Sequence, residues 1–146
     1  MSYAAAADLR ARFGADEIDQ LLDQDADGRP DDGRLEAVLA DAAAAIDARL
    51  ARLYDLPLPE GDYPLLRAIA CDLARARLYD DEMSDTVKHA ARRARAQLGA
   101  LAGGQAVLVR ADGKAVRRRA QTPRIAAPQG PVADGFGDTS CPERGR

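Results

Sequence analysis

Tryptophan is absent from this chain of 146 residues, and aromatic residues make up only 4% of it. There is one histidine, His89, and there are two cysteines, Cys71 and Cys141. Each scarcity excludes something. Two thiols are too few for a disulfide framework or a four-cysteine zinc site. One imidazole rules out any multi-histidine metal centre, and leaves His89 alone as a histidine base for a nucleophile. No apolar run approaches the ~20 residues of a membrane span. The first residues lack a basic stretch followed by an apolar one, so no secretory signal is expected and the cytoplasm is the default compartment. Few aromatic and β-branched residues argue against a sheet sandwich.

What is abundant is alanine, the commonest residue, within a 47% apolar and 31% charged composition. Such a chain suits close-packed helices around one core. The net charge of −3 conceals an uneven distribution. Residues 1–62 carry 15 acidic and 6 basic groups, net −9, whereas residues 63–126 carry 6 and 13, net +7. The last 20 residues add −1 and close the sum. An overall basic domain, the usual mark of a nucleic-acid binder, is not what this is. An acidic half joined to a basic half lets copies associate head to tail, into rings or filaments. The plain alternative is two solvated faces whose charges partly cancel within one molecule.

Five helices are expected. Ser2 can cap a first helix over Tyr3–Phe13, with Leu9 and Phe13 on one face and Gly14 as its stop. Ala15–Leu22 follow, burying Ile18, Leu21 and Leu22. An acidic turn-rich loop, residues 23–32, ends in Asp31 or Asp32 as the cap of a long helix over Arg34–Tyr54. Leu35, Val38, Leu39, Ala42, Ala45, Ile46, Leu50 and Leu53 form its stripe at spacings of three and four. Two prolines in Asp55–Pro59 break it, with Leu56 and Leu58 free to tuck inward. Pro64 opens a fourth helix to about Asp80, lined by Leu65, Leu66, Ile69, Leu73 and Ala76. Ser84 caps a fifth over Asp85 to about Leu101, with Val87, Ala91, Ala94, Leu98 and Leu101 inward. Val107–Val109 and the Asp112-Gly113 turn signal allow a short β-hairpin. Thr122–Arg146 hold four prolines and four glycines in 25 residues, too little apolar content to fold alone. The expected organisation is an all-α domain over residues 1–103 and an extended C-terminal arm over 104–146.

Candidate chemistry is sparse. Asp23, Asp25, Asp27 and Gly28 match the first half of an EF-hand calcium loop. Pro30 at position 8 and Arg34 at position 12, where a bidentate glutamate belongs, break the pattern, so a turn with aspartates bonded to nearby amides is the better reading. Asp80-Asp81-Glu82 reads as a solvated helix end, Ser84 as a cap, and Cys71 as a small buried hydrophobe. No catalytic group, metal or cofactor is expected. Arg117-Arg118-Arg119 is the densest basic run. It can neutralise phosphates or meet an acidic protein surface, and no aromatic residue within it offers a base-stacking platform.

As a set, these residues resemble a known family. The carriers are Ser2-Tyr3-Ala4 with Asp8-Leu9 and Arg12-Phe13-Gly14, then the Asp25-x-Asp27-Gly28 turn. The third is Ala45-Ile46-Asp47 with Leu50, running into Tyr54-x-Leu56-Pro57-Leu58-Pro59. The fourth is Leu65 and Ala70-Cys71-Asp72-Leu73-Ala74-Arg75 followed by Leu78-Tyr79-Asp80. In this order and spacing, over about residues 2–102, the chain resembles small Mu-like phage proteins related to head–tail connectors, or adaptors. The resemblance implies a non-catalytic structural protein of a tailed phage or phage-like particle. It would be made in the bacterial cytoplasm and sit in the virion at the head–tail interface, away from any membrane. It implies a ring under the portal protein, expected to be twelvefold, that passes DNA without sequence-specific binding and meets a tail-side connector or tail terminator. Within that frame, Arg117, Arg118, Arg119, Ile125, Val132 and Phe136 are the expected portal or neighbour contacts. Asp23, Asp25 and Asp27 are the candidates for an acidic channel wall. The alternative is a DNA-binding or packaging-associated accessory protein using the Arg117–Arg119 patch.

Overall fold

Capping and periodicity place the helices. A computed structural model describes residues 2–23, 26–79 and 82–119. It is all-α, with α1 over Ala6–Phe13, α2 over Ala15–Leu22, α3 over Asp32–Leu50, α4 over Pro64–Leu78 and α5 over Asp85–Ala102. Gly14 alone separates α1 from α2. Its N–H donates to the Arg10 carbonyl at 2.9 Å, and its own carbonyl accepts from Ile18. Its φ of 98° is one that glycine adopts without a Cβ clash. Asp31 caps α3 by accepting from the Arg34 N–H at 3.1 Å, and Ser84 caps α5 by accepting from the Val87 N–H at 3.4 Å. Arg34 also donates to the Leu21 and Leu78 carbonyls, both at 3.2 Å. One guanidinium thereby satisfies carbonyls at the ends of both α2 and α4.

Two expected starts and stops move. The Ser2 hydroxyl donates to the Ala4 carbonyl at 2.7 Å instead of capping a helix. Tyr3 donates its hydroxyl to Asp47 on α3, the chain bends there, and α1 begins only at Ala6, where Asp8 accepts from the Ala5 N–H. The long helix starts two residues early at Asp32 and ends at Leu50, and Leu53 and Tyr54 are buried from the turn that follows.

The helices form three tiers. α1 and α2 lie against α3 and α4, and α5 packs on α3 and α4 while touching neither α1 nor α2. One hydrophobic cluster runs through all of them, from Leu9, Ile18 and Leu22 through Leu35, Ile46, Leu66 and Ile69 to Leu98 and Leu101. The inner sides of α3 and α5 follow the expected stripes, except that Val38 and Ala45 are half-buried. α4 is more enclosed than a single stripe implies: Ala70, Cys71, Asp72, Ala74 and Leu78 are buried as well. It contacts every other helix, and alanine on its remaining sides lets those neighbours approach closely. The buried Asp72 meets Arg12 of α1 at 3.3 Å. Arg75 of α4 reaches Glu17 of α2 at 2.8 Å and lies 4.4 Å from the centre of the Phe13 ring, while Tyr79 donates to the same carboxylate at 3.1 Å. These contacts clamp the first two helices onto α4.

Residues 104–119, the described part of the arm, lie against this core. Leu108 is fully buried and Val116 nearly so. The Leu108 N–H donates to the buried Tyr54 hydroxyl at 3.3 Å, the Ala111 N–H to the Asp62 carbonyl at 2.8 Å, and the Arg119 N–H to the Leu53 carbonyl at 2.7 Å. The expected hairpin reduces to one antiparallel bridge between Val109 and Ala115. Its turn closes through the Gly113 N–H onto Arg110 at 2.9 Å, with Gly113 at a φ of 81°. Of the two leucines in the proline-containing loop, Leu58 is buried and Leu56 is exposed.

Candidate functional site

The densest basic run in the sequence does not stay together in space. Arg118 donates to the carbonyls of Gly104 and Ala106, both at 3.0 Å. Arg119 pairs with Asp55 at 2.7 Å. Arg119 therefore fastens the arm to the helical domain, Arg118 closes the arm onto its own first residues, and only Arg117 is without such a contact among the described residues. Ile125, Val132 and Phe136 lie outside the described residues, as does Asp25.

The acidic loop is held by local bonds. One Asp23 oxygen accepts from the Gly28 N–H at 3.0 Å, and Asp27 accepts from the Arg29 N–H at 2.8 Å. These are the side-chain-to-backbone turns that aspartate favours. The second Asp23 oxygen is buried without a partner among the described residues. Among the described residues no three His, Cys, Asp or Glu side chains converge as metal ligands do. Asp23 instead lines an acidic hollow of about 320 Å³ with Asp16, Asp19 and Gln20, closed by Gly28 and Pro30. Asp19 is partly neutralised by Arg10 at 3.0 Å, and Asp16 meets no cation among the described residues.

A basic counterpart lies elsewhere. Arg49 of α3, Arg77 of α4 and Arg95 of α5 surround a cleft of about 210 Å³ whose remaining walls are Ala45, Leu73 and Leu98. All three arginines are exposed, and none meets a carboxylate among the described residues. Arg92 and Arg93 extend the positive field along α5 and are likewise exposed. Because α5 touches neither α1 nor α2, the acidic hollow on α2 and the basic cleft bounded by α5 lie on opposite sides of the α3–α4 pair. Local sequence gives no sign of this cleft, since its three cations come from three separate helices and are brought together only by packing.

The remaining reactive groups are accounted for structurally. His89 is exposed on α5, and Ser84 is engaged as a cap. Cys71 is buried, and burial pushes its thiol pKa up to about 11, which keeps it protonated and unreactive at neutral pH. Burial, and then the hydrogen bond to Asp47, push the Tyr3 hydroxyl well above its ordinary range. Among the described residues, no helix is long and apolar enough to cross a membrane. Among the described residues, Leu56, Val107 and Val109 are the large apolar side chains left exposed.

Comparison with known proteins points to a phage protein. Gene product J of Escherichia phage Mu is 48% identical to this chain over 59 residues, which are 40% of this chain and 42% of that protein. The match thus spans less than half the length of that relative. The profile of the family described as Bacteriophage Mu, Gp36 matches residues 3–127, which takes in all five helices and the described part of the arm, and the chain belongs to that family of phage proteins.

Proposed function

We propose that this protein is a structural head–tail connector, an adaptor that forms a ring beneath the portal of a tailed phage or phage-like particle and joins head to tail. The observation that carries the reading is the opposed charge of two separate surfaces, acidic on α2 and basic on α3–α5, in a member of a phage protein family. A ring of identical subunits needs two different lateral surfaces that complement each other. A rigid all-α body with a chain segment bound along its side suits a scaffold role. No step of chemistry is assigned to it: the buried thiol, the capping serine and the exposed lone histidine are not brought together. Partners under this reading are further copies of the chain, the portal protein and a tail-side connector or terminator, with DNA passing through the channel.

The test is quantitative mass spectrometry of purified particles, counting this protein against the major capsid protein. The connector reading expects a fixed complement per particle, as a closed ring requires, and about twelve copies under the twelvefold ring that the family resemblance implies. Absence from mature particles overturns it and favours an assembly-time or DNA-associated role.

A further inference from the structure

We infer that the cleft bounded by Arg49, Arg77 and Arg95 receives the acidic α2 surface of a second copy of this chain, head to tail. This rests on the connector reading, and it identifies which basic groups form the lateral contact. Arg10, Arg12, Arg67, Arg75, Arg110 and Arg119 each have a carboxylate partner within the chain. The three cleft arginines do not, among the described residues, although the chain carries 24 acidic residues. Like charges gathered from three helices around one concavity call for an anion from outside.

The chemistry of the cleft favours carboxylates of a protein surface. Its floor is Ala45, Leu73 and Leu98, which suits the methylene stems of Asp, Glu or Gln, while the guanidinium forks donate paired hydrogen bonds to carboxylates. Arg49 and Arg77 stand in the last turns of α3 and α4. The free backbone N–H groups that cradle phosphate at helix N-termini are at the opposite ends of these helices, so the anion is held here by the guanidinium groups. The complementary surface is on the same molecule: the hollow of Asp16, Asp19, Gln20 and Asp23 lies across the α3–α4 pair from α5. A surface and its complement on opposite sides cannot pair two-fold; they repeat, and close into a ring when the rotation allows. The Arg117–Arg119 run is a poorer candidate, because Arg118 and Arg119 are already engaged within their own chain.

The test is sedimentation velocity of the full chain and of two charge-reversed variants at about 1 mM, a concentration at which even a millimolar contact is populated. The variants are Arg77→Glu/Arg95→Glu, which turns the cleft acidic, and Asp16→Arg/Gln20→Arg, which turns the hollow basic. All four positions are exposed. The unaltered chain is expected to at least double its average mass at low salt and return to monomer at about 0.5 M salt, where the screening length is only a few ångströms. Each variant alone is expected to remain monomeric, and their equimolar mixture to associate again, which also shows that both are folded. A monomeric unaltered chain, or a mixture that fails to associate, overturns the inference. Retention of duplex DNA by the unaltered chain, lost with Arg77→Glu/Arg95→Glu, overturns it in favour of a phosphate-binding cleft. Particle counting tests the connector reading separately, so either can fail without the other.

Discussion

Replacing Leu108 with alanine separates an arm that is part of the fold from one that merely trails it. Leu108 is fully buried in the main cluster, whereas Val107 and Val109 on either side are 52% and 40% exposed. That alternation is what a short extended segment laid on a helical core produces. Removing a buried leucine side chain forfeits its transfer free energy and leaves a cavity, a loss of 2–5 kcal/mol in comparable cores, and at this edge of the cluster about 3 kcal/mol is expected. With a urea dependence of about 1.5 kcal/mol per molar for a domain this size, the unfolding midpoint falls by about 2 M with the slope unchanged. Val109→Ala serves as the control and is expected to change stability by less than about 0.5 kcal/mol. Tyr54→Phe removes the acceptor of the Leu108 N–H and costs about 1 kcal/mol, the low end for an orphaned buried donor because the bond is long. Amide exchange supplies a second readout, since the Leu108 N–H should open only with global unfolding in the unaltered protein. Equal, small effects of Leu108→Ala and Val109→Ala, with fast exchange at residue 108, refute the argument that this segment belongs to the core.

Other contacts give further expectations. Arg12→Met strands the buried Asp72 carboxylate and is expected to cost about 2 kcal/mol, below the full buried-pair figure because Arg12 is half in solvent; Asp72→Asn should cost less, and a double mutant matching the sum of the two in chemical denaturation refutes the coupling. Ser84→Ala removes the α5 cap and should lower stability by about 1 kcal/mol in the same assay. The Tyr3 hydroxyl is raised above its ordinary 10.0 by burial and by Asp47, so its contribution is complete below that pH and is lost as pH rises past it. Stability measured across the alkaline range should therefore fall more steeply in the unaltered protein than in Tyr3→Phe. Tyr63 and Tyr79, also raised by burial, keep some slope in both.

The parts of the fold legible in the sequence are those governed by one element at a time. α5 has a cap at Ser84 and five inward residues at regular spacing, and both its limits and its buried face follow from that pattern. α2 is bounded by Gly14 and the acidic loop and matches its expected span. What failed to show were choices settled by distant partners. Ser2 has the chemistry of an N-cap, yet Tyr3 is drawn to Asp47, far along the chain, and the first helix starts later for it. Asp72 looks like a solvent-facing residue of α4 until Arg12 of α1 is placed beside it. Arg118 and Arg119 read as one reactive cluster with Arg117, because the sequence does not display the carbonyls of Gly104 and Ala106 or the carboxylate of Asp55 that claim them. The Arg49, Arg77 and Arg95 cleft was invisible for the converse reason, being a cluster in space with no cluster in sequence.

Charge in this protein thus divides by what each group reaches within its own chain. Arg10 spans Asp19 and Asp32, Arg67 meets Asp62, Arg75 meets Glu17 and Arg119 meets Asp55, and these pairs stitch α1, α2, the start of α3, α4 and the loops to one another. Without an ion-pair partner among the described residues are, with others, Asp16, Glu36 and Asp41 on α2 and α3, and Arg49, Arg77 and Arg95 around the cleft as well as Arg29, Arg52, Arg92, Arg93 and Arg117 elsewhere. The leftover groups, more than the densest run in the sequence, set the field a neighbour meets on approach. Exposed charges act over about 8 Å at physiological salt, so they steer and orient a contact whose strength must come from the surface buried beneath them. On the proposed connector reading, a weak, oriented, head-to-tail contact would suit a subunit recruited to a symmetric platform: it would assemble where the platform supplies the closing rotation, and avoid open filaments where it does not.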